Sequence, residues 1–251
     1  MLYADDAKVF STVPEKLQDS LNFIDSWLKS RQLQLAYDKC FLLSIVKPRH
    51  NDNTSFFLDN REITSKSTAK DLGIFIAQDL KWGEHVNYLC KIGSAISYQI
   101  RKTIKTKNIW TLLKLYTTYV RPKIEYNSSV WSPYLKQDIA KLEAIQRFYT
   151  KQACLRCSIP FTSYHDRLNK LSLKTLEYRR LFFDLVYVFK IINGQSDLRF
   201  SDFFFVRKVP YTLRGSILKI GTIIKFKTVH CTSLKLNVQC TVQCTVSKLL
   251  F

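Results

Sequence analysis

Glycine and proline are scarce, with six of each in 251 residues. That argues against a turn-rich all-β fold and for long elements. Long apolar runs are also missing. The most aromatic stretch, residues 182–189, is interrupted by Asp184 and falls well short of the ~20 residues that span a bilayer. The first residues include Asp5 and Asp6 and form no long apolar core, so neither a secretory signal nor a transit peptide fits. Seven cysteines make an odd number. Without a secretory signal, the expectation is a reduced, intracellular protein, nuclear or cytoplasmic, with no membrane contact. Cys154-Leu155-Arg156-Cys157 is a lone CxxC. No second cysteine pair or paired histidines stand at zinc spacing, so the plain reading is buried thiols at a helix end.

The charge is basic and uneven. Residues 1–100 hold 12 Lys/Arg and 12 Asp/Glu, which cancel; residues 101–251 hold 27 and 8 and carry the whole net charge of +19. No acidic residue follows Asp202. Such asymmetry suits a second half that faces a polyanion, and a basic domain is the electrostatic footprint of nucleic-acid contact. Solvated helix faces plus a divergent tail are the alternative. Arg101, Lys102, Lys105 and Lys107 form the densest basic cluster. Hydrophobic residues make up 46% of the chain, enough for a sizeable core in one or two domains.

Periodicity divides the chain. Pro14 suits a first helical position. Leu17, Leu21, Ile24 and Leu28 then recur at helical spacing, with Trp27 beside them. Strand-like runs follow at residues 41–46, at 56–58 with a turn at Asp59-Asn60-Arg61, and at 72–77. Beyond Glu84 the period is helical. Val86, Leu89, Ile92, Ile96 and Ile100 mark one helix; residues 109–120 mark a second, stopped by Pro122; Ile139, Leu142, Ile145 and Phe148 or Tyr149 mark a third. Residues 176–193 mark a fourth, with Gly194 as its C′ cap. Its aromatics Phe183, Tyr187 and Phe189 read as packing residues. His85 and His165 read as surface or capping residues. In the tail, Thr-Val-Gln-Cys recurs almost in tandem between residues 238 and 246. The expected fold class is α+β, with a helical C-terminal half.

The chain opens Met1-Leu2-Tyr3-Ala4-Asp5-Asp6. Two adjacent Asp after an aromatic lead suit the tip of a β-hairpin, where carboxylates gather Mg²⁺ for phosphoryl transfer. Alone, the tetrapeptide is a weak signal. It is followed in order by Lys39, by Asp71-Leu72-Gly73-Ile74 with Trp82 and His85, and by the block from Leu115 to Tyr126. Then come Val130-Trp131-Ser132-Pro133-Tyr134, Leu176-Glu177-Tyr178-Arg179-Arg180 and Ile191-Ile192-Asn193-Gly194. From Leu2 to about Gly215 the chain resembles the C-terminal part of a non-LTR retrotransposon reverse transcriptase of the jockey kind.

That resemblance implies a truncated polymerase palm edge over residues 1–83 and thumb-like helices over 84–152. A C-terminal helical region over 153–215 and a divergent basic and apolar tail over 216–251 follow. It implies Mg²⁺ held by Asp5 and Asp6, Tyr3 near the primer terminus, and Lys39 near the incoming triphosphate. The partners it implies are an RNA template with a DNA primer, or an RNA–DNA hybrid; no protein partner is evident. A solvated turn lysine is the other reading of Lys39. The family's first palm Asp and the fingers would lie upstream. Ala36 stands where the family has Asn, and Asp71 where it has an apolar or aromatic residue. The expectation is a polymerase fragment that is inactive alone. The alternatives are a non-catalytic module that binds nucleic-acid backbones, or a translated relic.

Overall fold

The computed structural model describes residues 2–3, 6–45, 55–160, 162–208, 218–222 and 240–245, with backbone alone at 2, 3, 6, 205–208 and the last two stretches. In chain order the elements are β1 (Leu2–Tyr3), β2 (Asp6–Ser11), α1 (Pro14–Ser30), β3 (Phe41–Leu43), β4 (Phe57–Leu58) and β5 (Arg61–Glu62). Next come β6 (Thr68–Asp71), β7 (Ile74–Ala77), α2 (Gly83–Thr103), α3 (Ile109–Leu115), α4 (Arg121–Glu125), α5 (Ser128–Trp131) and α6 (Lys136–Arg156). The chain continues with α7 (Tyr164–Lys170), α8 (Leu176–Ile192), α9 (Phe200–Phe203), β8 (Phe204–Lys208), β9 (Leu218–Thr222) and β10 (Cys240–Thr245). The fold is mixed α+β, with small antiparallel sheets. It divides into two units, Met1–Lys81 with His230–Phe251, and Trp82–Val229.

In the first unit α1 spans the residues its periodicity predicts. Leu17, Leu21 and Leu28 are buried against Leu42, Phe56, Leu58 and Ile63. The Gln18 side chain ties the helix to β4, accepting from the Phe57 amide at 2.9 Å and donating to its carbonyl at 2.7 Å. Asp25 pairs with Lys29 at 2.8 Å, and Lys29 also reaches Asp59 at 2.6 Å. The β4–β5 turn is Asp59-Asn60, both residues left-handed with φ 51° and 58°, which suits the twist of a two-residue hairpin.

Two strand readings change. Residues 72 and 73 are not strand: they turn between β6 and β7, with φ 44° at Leu72 and 86° at Gly73. Glycine tolerates that conformation at no steric cost, and the hairpin prevails over the apolar run. The strand expected at 41–46 ends at Leu43, with Ser44 and Ile45 outside the ladder, and Val46 lies outside the described residues.

The main sheet has the order β1-β2-β10-β3, antiparallel throughout. One of its two inner strands, β10, comes from the segment 216–251 expected to be a divergent tail. Cys240 to Thr245 pair with Ser11 to Asp6, and Thr241 to Gln243 with Leu43 to Phe41. Gln239-Cys240-Thr241-Val242 is repeated at once by Gln243-Cys244-Thr245-Val246. An even period keeps the same residues on the same face of a strand. The rest of the tail, apart from β9, lies outside the described residues.

In the second unit, Gly93 lets α2 approach α4 and α6 closely: a Cβ there would lie 3.0 Å from Ile124 and 3.1 Å from Ile145. Pro122 does not end a helix. Between α3 and α4 the backbone widens into a π-helical turn at Tyr116–Val120. Pro122 then falls in the first turn of α4, where its missing N–H costs little. On α6 it is Tyr149 that faces inward, while Phe148 is exposed. That helix buries a polar stripe as well. Tyr116 OH donates to Gln146 Oε1 at 3.0 Å, and Gln146 Nε2 donates to the Lys174 carbonyl at 3.0 Å. Tyr164 OH donates to Glu143 Oε1, and Glu143 Oε2 accepts from the Leu176 amide at 2.9 Å. The carboxylate thus sits at the N-terminus of α8, where the helix dipole favours it.

The α8 helix runs as its periodicity predicts, with Gly194 at φ 65° just beyond Asn193. Its aromatics do not all pack. Phe183 is half-buried, whereas Tyr187 and Phe189 are exposed along with Leu181, Phe182 and Leu185. Only one stripe of α8, through Leu176, Arg180 and Ile191, is buried. The C-terminal half is not wholly helical either, because β8 and β9 pair over five residues.

Candidate nucleic-acid interface

The carboxylate motif stands where a hairpin turns. Leu2 pairs with Ala7 and Tyr3 with Asp6, so the chain reverses between Tyr3 and Asp6. Ala4 and Asp5 lie outside the described residues, as do the side chains of Tyr3 and Asp6. The strand on the other side of β2 is β10, whose sequence Cys-Thr-Val-Gln-Cys-Thr has no carboxylate, and β3 is Phe-Leu-Leu. Among the described residues, the sheet therefore offers Asp6 no further acidic residue from a neighbouring strand. Lys39 ends a 3₁₀ turn (Tyr37–Lys39) ahead of β3; its side chain is exposed and its amide bonds the Ala36 carbonyl at 2.9 Å.

Two steps along β2 from Asp6 lies Lys8, only 6% exposed and ion-paired with Asp71. A buried ammonium requires such a partner. The pair gives Asp71, just ahead of the Leu72-Gly73 turn, a buried partner on β2.

The basic cluster is brought together at one end of the second unit. Arg101 and Lys102 close the last turn of α2; Lys105 and Lys107 lie in the segment leading to α3, and the three lysines are exposed. None of the four is in an ion pair among the described residues. The end of α2 is fixed from α6. Arg156 donates to the Arg101 carbonyl at 2.8 Å and to the Ile104 carbonyl at 2.6 Å, meeting carbonyls that a helix end leaves free.

Sequence reasoning missed the aromatic part of this face. The Arg101 guanidinium lies over the Tyr98 ring at 5.7 Å and over the Phe148 ring at 5.5 Å. Both residues remain about half exposed, at 54% and 52%. They border a cleft of about 190 Å³ between α2 and α6, also lined by Cys90, Lys141 and Arg101. Their signal was in the sequence. Tyr98 precedes Arg101 by three residues, one helical turn, and Phe148 stands next to the buried stripe of α6.

The remaining candidates have structural roles. Cys154 is buried in α6 and Cys157 caps its end; burial raises both thiols above their ordinary value. His165 is exposed. His85 is not a surface residue: it is 1% exposed and meets Trp131 edge-on at 4.9 Å. Burial pushes its pKa down to about 4. The unfolded chain takes up that proton near pH 6.5, so the stability this site contributes is present above that value and lost as pH falls toward 4. Between about pH 7 and about pH 5 the helical unit is expected to lose about 2 kcal/mol more than a His85→Asn variant does. Urea unfolding followed by far-UV dichroism at both pH values reads the difference. Equal losses would contradict it.

No family model and no solved structure matches this chain. An uncharacterized protein of Caenorhabditis elegans is 29% identical to it over 158 residues, covering 59% of this chain and 80% of that protein. Among the described residues no helix is long and apolar enough to cross a membrane.

Proposed function

We propose that this chain derives from the reverse transcriptase of a non-LTR mobile element and that, by itself, it binds nucleic-acid backbones without polymerising. On this proposal, residues of the first unit are a palm edge and the helices beyond Trp82 are thumb-like. One observation carries the binding reading: four cations, Arg101, Lys102, Lys105 and Lys107, gather at the end of α2 with no acidic partner among the described residues. Cations left unpaired at a surface are what phosphate neutralisation requires, and binding through them releases counterions.

Affinity for a short RNA–DNA hybrid is therefore expected to fall steeply with salt. Reversing all four charges to Glu should weaken it about 100-fold at low salt and flatten the salt dependence. Fluorescence anisotropy across a salt series measures both. Binding that ignores salt, or none at low salt, would count against the proposal.

The hairpin that reverses between Tyr3 and Asp6 favours catalytic ancestry. Magnesium suits one or two carboxylates, but a two-metal clamp needs more than the Asp5–Asp6 pair. The strand beside the pair, β10, brings none. No Mg²⁺-dependent primer extension is expected from the chain alone, since phosphoryl transfer relies on positioning and charge stabilisation. Extension that disappears in Asp5→Asn would overturn that expectation.

A further inference from the structure

We infer that the cleft between α2 and α6 is a stacking site for the unpaired bases of a single-stranded nucleic acid. The inference deepens the backbone-binding proposal and rests on it. Phosphates need only cations, yet this cationic face exposes aromatic rings as well. Tyr98 and Phe148 flank Arg101 and are about half exposed, and Trp110, just past the lysines, is 63% exposed. Exposed apolar groups clustered together, rather than scattered singly, mark contact sites. Cations interleaved with open rings are how single strands are held: the charges track the backbone and successive bases stack on the rings.

The geometry suits that use. Arg101 lies over both rings, at 5.7 Å from Tyr98 and 5.5 Å from Phe148, so charge and ring faces adjoin in one place. Arg156 fixes the backbone carrying Arg101. Lys141, at the other end of the cleft, is held by Asn87 and Asp138, each at 3.3 Å. A duplex hides its bases in the stack, so the rings favour a single strand. Every base has a π-face, so the site discriminates little among sequences.

The test is anisotropy of the full chain with a fluorescein-labelled oligo-dA strand, an abasic strand of equal length and charge, and an oligo-rA strand. At low salt the dA strand should bind at least about tenfold more tightly than the abasic strand. The double variant Tyr98→Ser, Phe148→Ser should erase that margin, whereas Tyr98→Trp, Phe148→Trp should keep it. Removing exposed aromatics elsewhere, by Phe182→Ser and Phe189→Ser, should change nothing. RNA and DNA strands should bind within about threefold of each other, because the contact is to the base. Equal binding of the dA and abasic strands would overturn the stacking site while leaving backbone binding intact; no binding to any strand would remove both. A tenfold sugar preference, or competition by polyglutamate as effective as by the strand, would also overturn it.

Discussion

Trp131→Ala is expected to destabilise the helical unit by about 4 kcal/mol, the usual cost of truncating a large buried aromatic. Trp131 is 0% exposed and among the largest fully buried side chains described. Its indole Nε1–H donates to the Tyr126 carbonyl at 2.7 Å, which closes the irregular segment between α4 and α5. Its ring meets His85 of α2, and its own helix packs on α8. Truncation would therefore open a cavity where three helices meet and remove a hydrogen bond as well. Trp131→Phe should keep much of the packing and cost about half as much. For a unit of this size the Ala variant should melt roughly 10 °C lower. Urea unfolding followed at 222 nm decides it, and a loss below about 1 kcal/mol would show that α8 does not depend on this contact.

The second large effect is expected from ending the chain before Gln239, which removes β10. Among the described residues β1 pairs with β2 only at Asp6 and Ala7, whereas β10 carries the ladder from Asp6 to Ser11. β3 likewise loses its ladder to β10 and keeps the bridge from Leu42 to Ser65. A hairpin with two paired positions is marginal in water, so the sheet should open and take the α1 packing with it. The helical unit has its own core and should persist. In hydrogen exchange, the amides of β2 should lose at least about 100-fold in protection, while α2 and α6 keep theirs. Retained protection at Val9, which pairs with Val242, would show that β10 does not support the sheet.

Elements carried by local signals were legible in the sequence. The α1 helix follows from Pro14 and a leucine stripe, the β4–β5 hairpin from a two-residue turn, and α8 from its period and Gly194. Each depends on neighbours within a few residues, so spacing and turn chemistry suffice. The basic cluster was legible too, because Arg101, Lys102, Lys105 and Lys107 are close in sequence.

What was not legible rests on contacts between distant residues. Glu125 and Arg179 stand 54 positions apart, in two blocks the sequence could only set in order. In the structure they are joined by two hydrogen bonds, at 2.6 and 2.9 Å. The exposure of Phe189 and the burial of His85 depend on which helices pack beside them, and periodicity says only that a face exists. The aromatic cleft needed Tyr98 and Phe148, 50 residues apart in sequence, to meet across two helices. For β10, the even-period repeat at residues 239–246 made alternation visible, but a strand's partners are chosen by open ladder positions elsewhere in the chain. The sequence by itself determined the basic asymmetry, the long helices α1, α2, α6 and α8 and the β4–β5 hairpin, because those are local. Tertiary structure alone decided that β10 lies between β2 and β3, that Lys8 is buried with Asp71, and that open rings stand among the cations. Burial and pairing belong to the folded surface, not to any single segment.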